Sequence, residues 1–309
     1  VARRAEEEWG YDAIWLAETS GPDSFSLAAA IAMVTSRVEI GTAIVPVYNR
    51  TPAVLAMSAA TLAELSGGRF VLGLGTSSHA IMDAWNGVPL ERPLAAVRDA
   101  VAICRQGLAG ERTDYAGEVF RSKGFRVGGS PPRPVPIYLA GLREKMLQLA
   151  GELGDGVIVN LFPRAALPQI VSAYRAGAER GDREMGPVVC RHQVGITDDV
   201  PEARARVRAS FAGYFATPVY NRFLRWCGFE GEMSKIADGF AARDRDAVRD
   251  AMHDDFVDEI AILGDLETCH DKLASFVEGG VTTTVLSPLG GSRDESLALY
   301  EAFAPSARR

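Results

Sequence analysis

The stretch SGGRFVLGLGTSSHA, Ser66–Ala80, carries the densest grouping of residues that could do chemistry in this chain. Glycine inside a strand weakens it unless a bulge, a bend or a closely approaching ligand needs the space. Here Gly73 and Gly75 end a short apolar run, and Thr76, Ser77 and Ser78 follow just ahead of a helix. Glycines let backbone amides approach a ligand, hydroxyls add donors, and a helix start favours an anion. The pattern reads as a phosphate cradle or as a plain strand-to-helix turn. No lysine follows the glycines, so it is not a P-loop. LAGLREK, Leu139–Lys145, repeats the arrangement with Gly141 at a strand end and Arg143 beside it, either meeting phosphate or facing solvent.

Those two loops need a scaffold that brings strand ends together, and the chain alternates short apolar runs with helical patterns throughout. A helix opens it, with Ala2, Ala5 and Trp9 on one face and Gly10 as its stop. Strands are predicted at Ala13–Ala17, Val38–Val47, Arg69–Gly75, Pro136–Gly141, Asp155–Asn160, Val188–Ile196 and Thr282–Pro288. The apolar runs are nearly continuous, as in a parallel sheet covered on both faces. Between Val47 and Arg69 lies a helix that Thr51 can cap, with Pro52 in its first turn and Gly67 at its end. Residues 111–133 break the rhythm as a hairpin-like excursion closed by SPPRPVP, and a helical region runs from about Pro201 to Ile262. Seven βα units without a central linker predict one (β/α)8 barrel over residues 1–309, with a doubly wound sheet as the alternative. A barrel needs an eighth strand, and the chain starts inside a helix, so the expectation is an N-terminal truncation that leaves two unpaired edges.

The bulk properties narrow the partners. A formal net charge of −7 with no basic run argues against nucleic acid and anionic membranes. No apolar stretch approaches a membrane span. Cys104, Cys190, Cys227 and Cys269 lack any C-x-x-C spacing, which suits reduced thiols in the cytoplasm. Cys269-His270 reads as two ordinary helix residues, and no metal site is expected.

GYDAIWLAE, VEIGTAIVPVYNRTPAVLAMSAATLAELSGGRFVLGLGTSS and PVPIYLAGLREKMLQLAGELGDGVIVN together resemble the bacterial luciferase-like oxidoreductases. The resemblance is strongest to the branch that uses the deazaflavin coenzyme F420, and it runs along the whole chain. It implies a luciferase-like (β/α)8 barrel with the cofactor ring at the C-terminal mouth. The ring would be backed by a bulge with a non-proline cis peptide, which falls at Ala43–Ile44. Gly75, Thr76, Ser77 and Ser78, with Ala140, Gly141, Leu142 and Arg143, would hold the ribityl and phosphate portion. Asn160 would be a polar contact near the ring, or an ordinary strand-end cap. A homodimer is also implied.

One branch of the family, the sugar-phosphate dehydrogenases, carries an Asp-His pair after the second barrel strand and a glutamate in the glycine loop. This chain has Glu18-Thr19-Ser20 and Ser78 at those places, so that mechanism is not expected. Glu18 is the candidate acid or base, its pKa raised by the barrel mouth, or else a loop-holding partner of an arginine. His79 could serve as an acid or contact the cofactor tail, or face solvent. The implied activity is hydride transfer between coenzyme F420 and a small organic substrate. The alternatives are a monooxygenase using reduced flavin mononucleotide (FMN) and a cofactor-binding relative without turnover. Phe211, Tyr214, Phe215, Tyr220, Phe223 and Trp226 either lid an apolar pocket or belong to the core.

Overall fold

The computed structural model describes residues 1–129, 131–289 and 292–308; Ser130, in the proline-rich closure of the excursion, lies outside them. The strands are β1 (Ala13–Leu16), β2 (Glu39–Thr42), β3 (Val45–Pro46), β4 (Phe70–Gly75), β5 (Asp114–Ala116) and β6 (Arg121–Lys123). They continue with β7 (Ile137–Ala140), β8 (Gly156–Asn160), β9 (Val188–Ile196), β10 (Ala261–Gly264) and β11 (Thr283–Pro288). Seven of them form a parallel sheet in the order β1-β2-β4-β7-β8-β9-β11, with helices between successive strands. The sheet curls nearly into a barrel. Among the described residues β1 pairs only with β2 and β11 only with β9, so two edges remain, yet Trp15 of β1 and Val285 of β11 meet in the same interior cluster.

Two apolar layers drive this curl. Outward-facing residues such as Ile40, Leu72, Ile137, Val157 and Cys190 pack against the helices, while Val71, Tyr138, Ile158 and Val189 alternate with them to fill the interior. Trp15 stacks on Tyr138 with ring centroids 5.8 Å apart. A Cβ at Gly41 would lie 2.4 Å from the Trp15 ring, so β2 needs glycine there for the indole to enter the barrel. The four residues of β1 are only half-buried because the strand lies at an edge, unlike the doubly covered strand its apolar run suggested. Outside that edge the first and last helices meet. Trp9, Tyr11 and Tyr300 pack together, and the Tyr11 hydroxyl donates to the Tyr300 carbonyl at 2.7 Å.

Two local expectations change. Thr51 occupies the cap position of the Pro52–Leu65 helix but makes no side-chain cap bond, since Pro52 already suits the first turn. The helical region after Pro201 comprises five helices from Val200 to Ile260, and Ala261–Gly264 is a strand, not helix. It pairs with Gln193–Ile196, the part of β9 that extends beyond β8. The excursion contains the β5–β6 hairpin.

Glu6 ties the first helix to the start of β2. Its buried carboxylate accepts the backbone N–H groups of Ser36, Arg37 and Val38 at 2.5–3.0 Å. Burial pushes its pKa up, but those bonds outweigh it and hold the group down at about 2. A carboxylate depressed on folding stabilises fully above its unfolded value and loses that contribution as pH falls through its folded value. Glu6→Gln is therefore expected to cost about 2–3 kcal/mol at pH 7, with the difference from wild type shrinking toward pH 2. Urea denaturation across that range checks it.

Candidate active site

The C-terminal mouth is shaped by a bulge between β2 and β4. Gly41 pairs with Val71 but Val45 with Leu74, so three residues of the β2 side oppose two of β4. The Ala43–Ile44 peptide inside it is cis, at the position the resemblance implied. Where the backbone ladder is interrupted, the buried Thr42 side chain substitutes for it. Its Oγ accepts the Gly73 N–H at 2.9 Å and donates to the Gly73 carbonyl at 2.9 Å. A Cβ at Gly73 would stand 1.7 Å from the Thr42 carbonyl oxygen, and one at Gly75 2.9 Å from Ile44 and 3.1 Å from Ala140. The spaced glycines thus make room for the protein's own bulge. The part of the motif that the bulge does not use is Thr76 to His79.

Thr76, Ser77 and Ser78 are half-buried, and Ser77 sits in the left-handed region at φ 62°. Among the described residues no acceptor takes the backbone N–H groups of Thr76, Ser77, Ser78 or His79. The loop after the neighbouring strand β7 behaves alike. Among the described residues the N–H groups of Leu142 and Arg143 have no acceptor, and the Glu144–Leu153 helix that follows has no side-chain cap. Two adjacent strands therefore end in loops that present N–H donors, an arrangement suited to phosphate. Ala140 joins the interior cluster and Gly141 is buried against Leu147, while Leu142 packs on the outer core. Arg143 and His79 are exposed at the rim. The segment after His79 is a π-helical turn, Ala80–Trp85.

Glu18 lies beyond β1 in a cleft of about 400 Å³ lined also by Tyr48, Asn49, Arg50, Asn86 and Val88. Burial pushes its pKa up, but Arg50 grips it with two nitrogens at 2.6 and 3.1 Å and Ser24 donates at 2.8 Å, so the net shift is downward. That reverses the raised pKa expected from the barrel mouth. Glu18 is held ionised and fixes the loop through Arg50, which also meets Asp23 and stands over the Phe25 ring.

Asn160, at the end of β8, donates through Nδ2 to the Tyr220 hydroxyl at 3.1 Å, and its buried Oδ1 has no partner among the described residues. Tyr220 comes from the helical insertion, so one of its aromatics reaches the mouth while Phe215 and Phe223 are core. Arg191 faces the interior beside Asn160, the two being register partners. Tyr220 is one of the aromatics that the sequence offers as pocket lid or core, whereas Thr42, Arg50 and Arg191 are not singled out by the sequence. Only the inward alternation of β9 could have singled out Arg191; the others depend on long-range contacts. Among the described residues no group of three His, Cys, Asp or Glu could hold a metal ion.

The chain belongs to the luciferase-like monooxygenase family, whose profile matches residues 1–283. It is 29% identical over 307 residues to the 5,10-methylenetetrahydromethanopterin reductase of Methanolobus tindarius, covering 96% of this chain and 92% of that one. It is 30% identical over 326 residues to a Mycobacterium tuberculosis protein named, provisionally, a coenzyme F420-dependent oxidoreductase, covering 95% and 91%. In fold it resembles the coenzyme F420-dependent tetrahydromethanopterin reductase of Methanopyrus kandleri, with a TM-score of 0.81 at 23% identity over 98% of this chain and 92% of that one.

The Glu18–Arg50 pair contributes fully at neutral pH and is lost as pH falls through the lowered Glu18 pKa. Arg50→Met is expected to cost about 1–3 kcal/mol at pH 7 and to raise the Glu18 pKa, so that the difference from wild type narrows below about pH 4. Calorimetric melting of both proteins across pH 3–7 checks this.

Proposed function

We propose that this chain is a coenzyme F420-dependent oxidoreductase that moves a hydride between the deazaflavin ring and a small organic substrate. The observation that carries the reading is the pair of neighbouring loops, Thr76–His79 and Leu142–Arg143, whose backbone N–H groups have no acceptor among the described residues. The unpartnered Asn160 Oδ1 adds a buried polar atom facing the mouth, which suits a polar ring edge. The names of the relatives support the coenzyme, since two of the three described carry it.

Each element of the mouth has a task in this reading. When bound, the coenzyme supplies the hydride acceptor or donor. Thr76, Ser77, Ser78 and the loop after Ala140 hold its phosphate end by N–H and hydroxyl donors. Ala43 and Ile44 back the ring as an apolar wall, and Asn160 orients its edge. Gly75 and Gly141 keep the loops close to the sheet. Arg143 and His79 meet the coenzyme tail at the rim. Glu18, ionised, anchors the β1 loop beside the ring and accepts hydrogen bonds instead of delivering a proton. Trp15, Tyr138 and the helical insertion limit water at the interior.

Fluorescence titration checks the coenzyme directly. Coenzyme F420 is expected to bind at micromolar or lower Kd, with FMN weaker by about tenfold or more, and Ser77→Pro should weaken coenzyme F420 by about tenfold. Binding of FMN alone would assign the barrel to the flavin monooxygenases. Binding of neither would overturn the cradle reading and leave the glycines as turn residues.

The assembly we infer is a homodimer. Leu27, Met33, Val54, Met57 and Leu65 are exposed on two neighbouring helices, more apolar side chains than a solvated face needs. Light scattering should give twice the chain mass, falling to one in Met57→Glu/Val54→Glu. We read the location as cytoplasmic, supported by four free cysteines. No helix of the described residues is long and apolar enough to cross a membrane.

A further inference from the structure

Arg191 is a cation inside the barrel with no anion to match it. It lies on β9 two residues after Val189, which points into the interior cluster, so it faces the same way one layer nearer the mouth. It is half-buried, and its Nη2 donates a hydrogen bond to the Ser287 hydroxyl on β11 at 2.8 Å. Among the described residues no carboxylate pairs with it. The other partly buried guanidinium groups, Arg69 aside, are matched: Arg4 by Glu8, Arg50 by Glu18, Arg105 by Asp155, Arg204 by Asp258, Arg208 by Asp254 and Arg225 by Glu230. Arg69, which also lacks a carboxylate contact, donates instead to the carbonyls of Ser66, Val38 and Thr35. Arg191 has no such set of carbonyls.

Its neighbours are neutral. Asn160 is its register partner on β8, with Oδ1 buried and unpartnered, and the Arg191 charge reaches the Tyr220 hydroxyl that Asn160 meets. β9 stands four strands on from β2, across the barrel from the Ala43–Ile44 bulge. A ring backed by that bulge therefore presents its far face toward Arg191. A guanidinium keeps its charge at every accessible pH, and its planar fork matches a carboxylate with two parallel bonds.

We propose that Arg191, oriented by Ser287, is the substrate-anchoring residue of this site, and that the substrate is a small organic acid whose carboxylate docks on it. The proposal rests on the coenzyme reading for which face of the mouth is left to the substrate. The carboxylate is an anchor and takes no part in the hydride step; it sets the distance between the ring and the carbon to be oxidised or reduced. Selectivity follows, because a neutral isostere leaves the guanidinium half-desolvated and unmatched.

Benzoate and benzamide, equal in shape and different in charge, are the probes. Isothermal titration of the chain without coenzyme is expected to show benzoate binding about tenfold tighter than benzamide. Arg191→Gln should erase that preference by weakening benzoate while leaving benzamide unchanged. Ser287→Ala, which keeps the charge but loosens the fork, should weaken benzoate by about threefold and serves if the first variant melts early. Equal binding of the two probes to wild type, or a preference that survives in Arg191→Gln, overturns the proposal. So does a fall in coenzyme F420 affinity in Arg191→Gln, since the guanidinium would then serve the coenzyme. The probe comparison needs no coenzyme, so a failure of the coenzyme reading is seen separately in the wild-type fluorescence titration.

Discussion

The Thr42–Gly73 bridge is the constraint on which the mouth of this barrel depends. A parallel sheet needs every buried backbone N–H and C=O paired, and a bulge breaks that ladder in the most buried part of the protein. Thr42 repairs the break with one hydroxyl that both accepts and donates. The repair demands a residue without a side chain opposite it, because the Thr42 carbonyl occupies the space a Cβ would take. Next to the bulge Gly75 lies so close to Ile44 and Ala140 that a Cβ there would stand 2.9 Å from the first and 3.1 Å from the second.

Around the rim, electrostatics divides the mouth into a neutralised side and a charged one. On the β1 side Glu18, Arg50 and Asp23 compensate one another and stiffen a loop. Such a network is poor acid–base equipment, since its carboxylate stays ionised through the neutral range. On the β9 side a guanidinium faces hydroxyls and an amide. The chain is acidic overall, yet the interior of its barrel carries a positive centre. The net charge of the chain and the charge of this interior group therefore have opposite signs.

How much of this was legible in the sequence depends on the range of the interactions. The seven parallel strands could be read because each is a short apolar run between helices, a local pattern with a direct physical cause. The β10 strand was read as helix because Ala261–Gly264 is brief and follows helical periodicity; pairing with the free length of β9 makes it a strand. Ala43–Ile44 was located through resemblance, and the residues alone gave no sign of it. The sequence offers Glu18 either as an acid with a raised pKa or as the partner of an arginine; the downward direction depends on Arg50, 32 positions away, which only the fold brings to it.

By itself, the sequence determined the βα order, the apolar alternation that curls the sheet, and the crowding of glycines and hydroxyls at the end of β4. Those are properties of neighbouring residues, and periodicity and steric size express them without a fold. Only the tertiary structure decided what the glycines do, because the atom that Gly73 must avoid belongs to Thr42, 31 positions earlier. Tertiary structure likewise matched Arg50 with an acid and left Arg191 beside neutral groups. Both are plain arginines in the chain; burial and charge compensation are set by what the fold brings across the barrel.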